Sequence, residues 1–225
     1  MAKQSRTVLS LTSEGRLHKL AELAEKAGTH PEIKQMAKLC AKAVSSATDA
    51  LTRINDHAER ARGDRRRTEF SREEYAAEGA HKAMMVELAA LDNALGEIGT
   101  VQKNHASITG RMFREGSETD RQHFAEIRAL VRQQCKTPAN VNLFVRNNDA
   151  IVGKAVLSAP LLLSNSNEGE REKMMDMYLA RHEPGLQTAI SAASTAHNIV
   201  AEVGQSLQKK VASTVDLQVL NTEHA

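Results

Sequence analysis

Glu78-Gly79-Ala80-His81 is the stretch of this chain whose residue types and spacing come closest to known chemistry. A Glu and a His three residues apart share one face of a helix, and helical di-metal carboxylate sites use that spacing. Asp120-Arg121-Gln122-His123 is a looser echo. Such a site needs two of these pairs and two more carboxylates, all facing one bundle interior. The apolar seam from Ile33 to Ala58 supplies no carboxylate, and the later seam that carries His197 supplies no acid. The ligand set stays incomplete, so neither a metal nor another cofactor is expected. His81 and His197 then read as buried or interfacial histidines with ordinary packing roles.

Nucleophilic catalysis finds no footing either. Leu157-Ser158-Ala159-Pro160 lacks the glycine-flanked elbow that exposes a catalytic serine. The glycines are scattered and form no phosphate-cradling loop after a strand. Cys40 and Cys135 make neither a disulfide framework nor a cysteine-based metal cluster, which fits a reducing compartment. Met174, Met175 and Met177 form a face that suits either an adaptable binding surface or plain core, and core is the expectation.

The strongest charge cluster is Arg53, Arg60, Arg62, Arg65, Arg66, Arg67 and Arg72. Arg60, Arg62, Arg65, Arg66 and Arg67 are candidates for contacting phosphate or an acidic protein surface. Asp56, Glu59, Asp64, Glu69, Glu73 and Glu74 lie among them, however. Sign-mixed charge at a turn is the pattern of a solvated tip with local ion pairs. Formal net charge is +2, so the chain as a whole implies no polyanion partner.

The elements that would position these residues are helices. Ile33, Ala37, Cys40, Val44, Ala47, Leu51, Ile54 and Ala58 repeat every three or four residues, a narrow seam of the kind one helix shows another. His81, Met84, Leu88, Leu91, Leu95 and Ile98 form a second seam, with Ser71 and Glu74 at capping-box spacing and Phe70 placed to staple onto Tyr75. Gly96 and Gly99 weaken the far end of that helix or let another backbone approach. A short leading helix from Ser13 is expected to end at Gly28 in the left-handed conformation. Ser117 with Asp120, Thr137-Pro138, and Glu168 open later helices, and Leu186 to Val211 carries a third seam. Aromatic residues are only 3% and Trp is absent, which suits long helices packed side by side rather than a thick aromatic core.

The expected fold is therefore all-α: an elongated helical bundle built on a long antiparallel hairpin, with extended terminal arms. The expected divisions are an arm at 1–12, the hairpin with its leading helix at 13–108, a C-terminal helical part at 109–212 and an extended tail at 213–225. The seam residues Ile33, Val44, Leu51, Ile54, Leu88 and Leu95 are candidate protein contacts. Val8, Leu9 and Leu11, and Val215, Leu217 and Val219, alternate with a period of two and are candidate arm contacts through strand-like pairing. The N-terminus has no apolar core long enough for a signal peptide. The run from Ala150 to Leu163 is broken by Lys154 and Pro160 and falls short of the roughly 20 residues a membrane span requires. A soluble chain made in the cytoplasm is expected.

One segment carries a resemblance. Ala150-Ile151-Val152-Gly153-Lys154-Ala155-Val156-Leu157-Ser158-Ala159-Pro160, then Leu163-Ser164, an acidic helix start, Tyr178, and Arg181-His182-Glu183-Pro184, resembles helical proteins of tailed-phage and prophage structural gene clusters. The resemblance implies a virion or assembly component without catalytic residues. Its partners would be other protein subunits, either copies of itself or a larger virion protein. Nucleic acid at the Arg-rich tip is the alternative reading.

Overall fold

The computed structural model describes residues 14–28, 30–114 and 116–221. The candidate arm contacts Val8, Leu9 and Leu11 lie outside these residues. The described chain is all-α: α1 (Glu14–Lys26), α2 (Pro31–Gly63), α3 (Glu69–Met112), α4 (Glu118–Gln134), α5 (Pro138–Asn147), α6 (Ala150–Leu157), α7 (Leu161–Ser164), α8 (Glu168–His182) and α9 (Pro184–Thr214), then a 3-10 turn at Leu217–Asn221. None of these helices is long and apolar enough to cross a membrane. The described residues form two compact units, one drawn from 1–100 and 192–225 and the other from 101–191.

The first unit is built on α2, whose 33 residues span about 50 Å at about 1.5 Å per residue. Pro31 occupies its first turn, where a missing N–H costs little. A tight polar turn follows, and α3 returns antiparallel. Ser46 meets Glu87, His57 meets the carbonyl of Tyr75, and Arg62 meets Glu73, so contacts climb one helix while descending the other. The hairpin expected from the two seams is thus formed.

The last long helix joins the same unit. The Cys40 thiol donates to the Ala196 carbonyl at 3.7 Å, and Thr214 donates to the Asn55 side chain at 3.2 Å, so α9 runs parallel to α2. A Cβ placed on Gly204 of α9 would lie 3.6 Å from Leu91 and 3.9 Å from Leu88 of α3. Three helices therefore share one core.

This changes the meaning of the seam. A helix with two long neighbours buries a wider stripe than a helix with one. Met36, Ala43, Ala50 and Ala61 join Ile33, Cys40, Ala47, Leu51, Ile54 and Ala58 in the core of the unit, while Val44 is only half-buried. Ile33, Leu51 and Ile54 are buried within their own chain, and Leu88 and Leu95 are half-buried on α3. Ile33, Leu51 and Ile54 are thus interior to this chain, whereas Val44, Leu88 and Leu95 keep part of their surface exposed. His81 leaves the seam altogether and is exposed, whereas His197 is half-buried.

Local signals explain the remaining boundaries, with three corrections. α3 begins before Ser71, because Thr68 is the residue whose hydroxyl accepts from a backbone N–H, that of Ser71 at 3.3 Å. The end of α1 closes with a bond from Gly28 N–H to the Glu25 carbonyl at 3.3 Å, and no described glycine has positive φ. The left-handed residue is Asn165, with φ of 49°, just after α7. The third correction is the tail. Val215 directly follows α9 and is tied to it, its N–H bonded to the Val211 carbonyl at 3.0 Å, and Asp216 accepts from Gln218 N–H to start the 3-10 turn. Val215 is buried, and Leu217 and Val219 lie on that turn rather than on a strand.

The second unit is built from the short helices. Ser117 caps α4 in a full capping box with Asp120, Thr137 caps α5, and Asn167 caps α8. Phe113, Val131, Val145, Val156, Leu157 and Met174 form its core, and Met175 and Met177 pack against it. The Met-rich face is core, as expected from its spacing.

Candidate functional site

Any helix of a three-helix core keeps one face outside. On α3 that face runs through Met85, Val86, Ala89, Ala90, Asn93 and Gly96, all on one side at about 100° per residue. Every one of these residues is uncharged, and exposed Asp92, one heptad after Met85, borders the strip. Met85 is 50% exposed and Val86 67% exposed, and Ala89, Ala90, Asn93 and Gly96 are exposed as well. The pair of large side chains sits at the N-terminal end of the strip, and small residues fill the rest. A Cβ added at Gly96 would have nothing within 4 Å. Lys82 flanks the strip before Met85 and Glu97 flanks it after Gly96. Solvent-facing helix surfaces ordinarily carry charge across such a stretch.

Beside the strip, a pocket of about 200 Å³ opens between α2 and α3, lined in part by Ala90, Asn93 and Ala94. At its floor Glu87 is 5% exposed, with one carboxylate oxygen accepting from the Ser46 hydroxyl at 2.8 Å. Lys42 also lines this pocket.

The Arg-rich turn between α2 and α3 is largely satisfied by its own neighbours. Arg62 grips Glu73 with two nitrogens, at 2.8 and 3.1 Å, and donates to the Thr214 carbonyl at 2.8 Å. That ion pair holds the Glu73 carboxyl below its usual range and raises the Arg62 guanidinium. Arg67 pairs with Asp64 at 3.3 Å and lies 4.1 Å over the ring of Tyr75. Arg60 donates to the Asp56 carbonyl at 3.0 Å. Arg65 and Arg66 are the exposed side chains of the turn that remain. Tyr75, expected to staple onto Phe70, instead packs against His57 with centroids 4.8 Å apart.

The Glu78 and His81 pair is exposed on α3, and among the described residues no group of three or more His, Cys, Asp or Glu is placed to hold a metal ion. Gly153, Tyr178, Arg181 and His182 line one pocket of about 550 Å³ in the second unit. The Tyr178 ring lies 5.2 Å from Phe113 and 4.7 Å from His182. Burial, helped by the Glu183 charge, pushes the Tyr178 phenol above its usual range and keeps it a neutral hydrogen-bond donor.

No family model, no curated protein and no solved structure matches this chain.

Sequence reasoning followed the buried seams and passed over the outer face of α3. The signal was present, since Met85, Val86, Ala89, Ala90, Asn93 and Gly96 share a helical face whose charged border is Asp92, one heptad after Met85.

Proposed function

We propose that this protein is a non-enzymatic structural or assembly protein that pairs with a second copy of itself through the open face of α3. The observation that supports this most is the exposed strip of uncharged residues from Met85 to Gly96, with Asp92 along one border. Its two ends complement each other. In an antiparallel pairing, Met85 and Val86 of one copy cover the small-residue end of the other. Lys82 then meets the acidic end marked by Glu97. A two-fold interface requires this kind of self-complementarity, and small residues let two helix backbones approach closely.

The resemblance of the 150–184 segment supports a tailed-phage particle as the setting of this assembly. The protein would be made in the cytoplasm and built into the virion. The alternative, nucleic-acid binding at the Arg-rich turn, has mainly Arg65 and Arg66 left to carry it, because Arg60, Arg62 and Arg67 have partners within the chain.

Cysteine cross-linking tests the pairing. A Met85→Cys chain mixed with a Gly96→Cys chain under mild oxidation should give the mixed disulfide in preference to either homodimer. Preferential Met85→Cys homodimers would contradict the antiparallel arrangement. Cys40 and Cys135 are buried and do not compete.

A further inference from the structure

A pocket of about 680 Å³ in the second unit lies among the last turns of α3, α4, the end of α6, and α8. Its volume falls within the roughly 300–1,000 Å³ typical of small-molecule sites. Arg114, Arg128 and Arg171 all line it, and no carboxylate among the described residues does. Thr109 and Ser158 also line it, but their hydroxyls donate back to the carbonyls of His105 and Ala155. The guanidinium groups are therefore the donors the pocket can offer.

Two of the three are fixed in place. Arg171 donates to the carbonyls of Ala159 and Leu157, and Arg128 donates to that of Ala155 at 3.3 Å. These bonds satisfy the exposed carbonyl end of α6. They use two of the five donors of Arg171, leaving others on a pre-positioned fork. Capping does not account for Arg114, which is exposed at the rim. The remaining wall is apolar, formed by Pro160, Leu163 and Met175. Leu162, next to this wall, is 90% exposed.

We infer that this pocket binds an organic phosphate: a dianionic head held by Arg114 and Arg171 and an apolar body lying against Pro160, Leu163 and Met175. The two cations Arg114 and Arg171 exceed what a single monovalent carboxylate neutralises, and guanidinium geometry suits phosphate oxygens. The site is independent of the α3 face.

Calorimetric titration of the full chain with octyl phosphate, inorganic phosphate and octanol tests this. Octyl phosphate should bind one to one and about tenfold or more tighter than either fragment, and Arg114→Gln should weaken it by about tenfold. Arg114 makes no capping bond, so that variant keeps the fold, which circular dichroism checks. Equal affinity for inorganic phosphate and octyl phosphate would overturn the assignment. So would no binding of octyl phosphate, or binding unchanged in Arg114→Gln. Co-sedimentation with vesicles containing phosphatidic acid separates two sources of the ligand. Retention lost in Arg114→Gln identifies a lipid head group, whereas no retention alongside intact octyl phosphate binding identifies a free small molecule.

Discussion

Ser46 of α2 donates its hydroxyl to Glu87 of α3 at 2.8 Å, and Glu87 is almost wholly enclosed. A buried carboxylate oxygen without a partner costs more than the bond itself contributes. Ser46→Ala should therefore destabilise the protein by about 1–3 kcal/mol. Glu87→Leu, which removes the polar group along with its need for a partner, should be near neutral. Urea denaturation of both variants and their double mutant checks this. If Ser46→Ala costs nothing while Glu87→Leu costs several kcal/mol, the carboxylate has another anchor.

Gly153 of α6 is held open by Tyr178. A Cβ there would lie 2.6 Å from Tyr178 Cδ2 and 3.4 Å from Val145 Cγ1. Overpacking of this kind costs about 1–3 kcal/mol, against a helix-propensity gain of about 1 kcal/mol for Ala over Gly. Gly153→Ala should lose up to about 2 kcal/mol in the native protein. In a Tyr178→Ala background the same change should stabilise. Thermal unfolding of the four chains reads the coupling, and additive effects would mean the two residues do not press on each other.

Two groups contribute to the pH dependence with opposite signs. Burial pushes the Cys40 thiol from 9.0 up to about 11. The folded chain then holds a proton that the unfolded chain gives up, so stability is full below about pH 9 and falls as pH rises toward 11. The same burial predicts slow alkylation of Cys40 by iodoacetamide in the folded state. On the acid side, Arg62 holds the Glu73 carboxyl below its ordinary 4.5. That contribution is present above 4.5 and is lost as pH falls through the depressed value. It is small because both partners are partly exposed, at about 1 kcal/mol or less. Arg62→Ala should flatten only the acid limb, and Cys40→Ala only the alkaline limb.

Much of this architecture is written locally. Asn167 followed by Glu168 and Glu170 marks the start of α8, and Ser117 with Asp120 marks that of α4, because caps depend on residues three apart. The α2–α3 hairpin is legible for the same reason: two apolar stripes are separated by a short polar turn. The return of α9 to lie along α2 is not local, and no spacing in the chain announces it. Met36, Ala43, Ala50 and Ala61 lie off the narrow seam, and they are buried because α2 has a second long neighbour. At 215–219, alternation of Val and Leu suggested a strand, but the helix-continuing bond from Val215 to Val211 and the Asp216 turn prevailed. The candidate interface is the complement of the buried stripe on α3. It becomes visible only when exposed positions are examined for the charge they lack.

Light scattering of the purified full chain across a concentration series, beside a Val86→Asp variant, tests the central claim most directly. Val86 is 67% exposed, so the substitution leaves the core untouched. A concentration-dependent dimer is expected for the native chain and a monomer for Val86→Asp, with identical helical content. A native chain that stays monomeric at every concentration, or a Val86→Asp chain that dimerises as well as the native one, would contradict it.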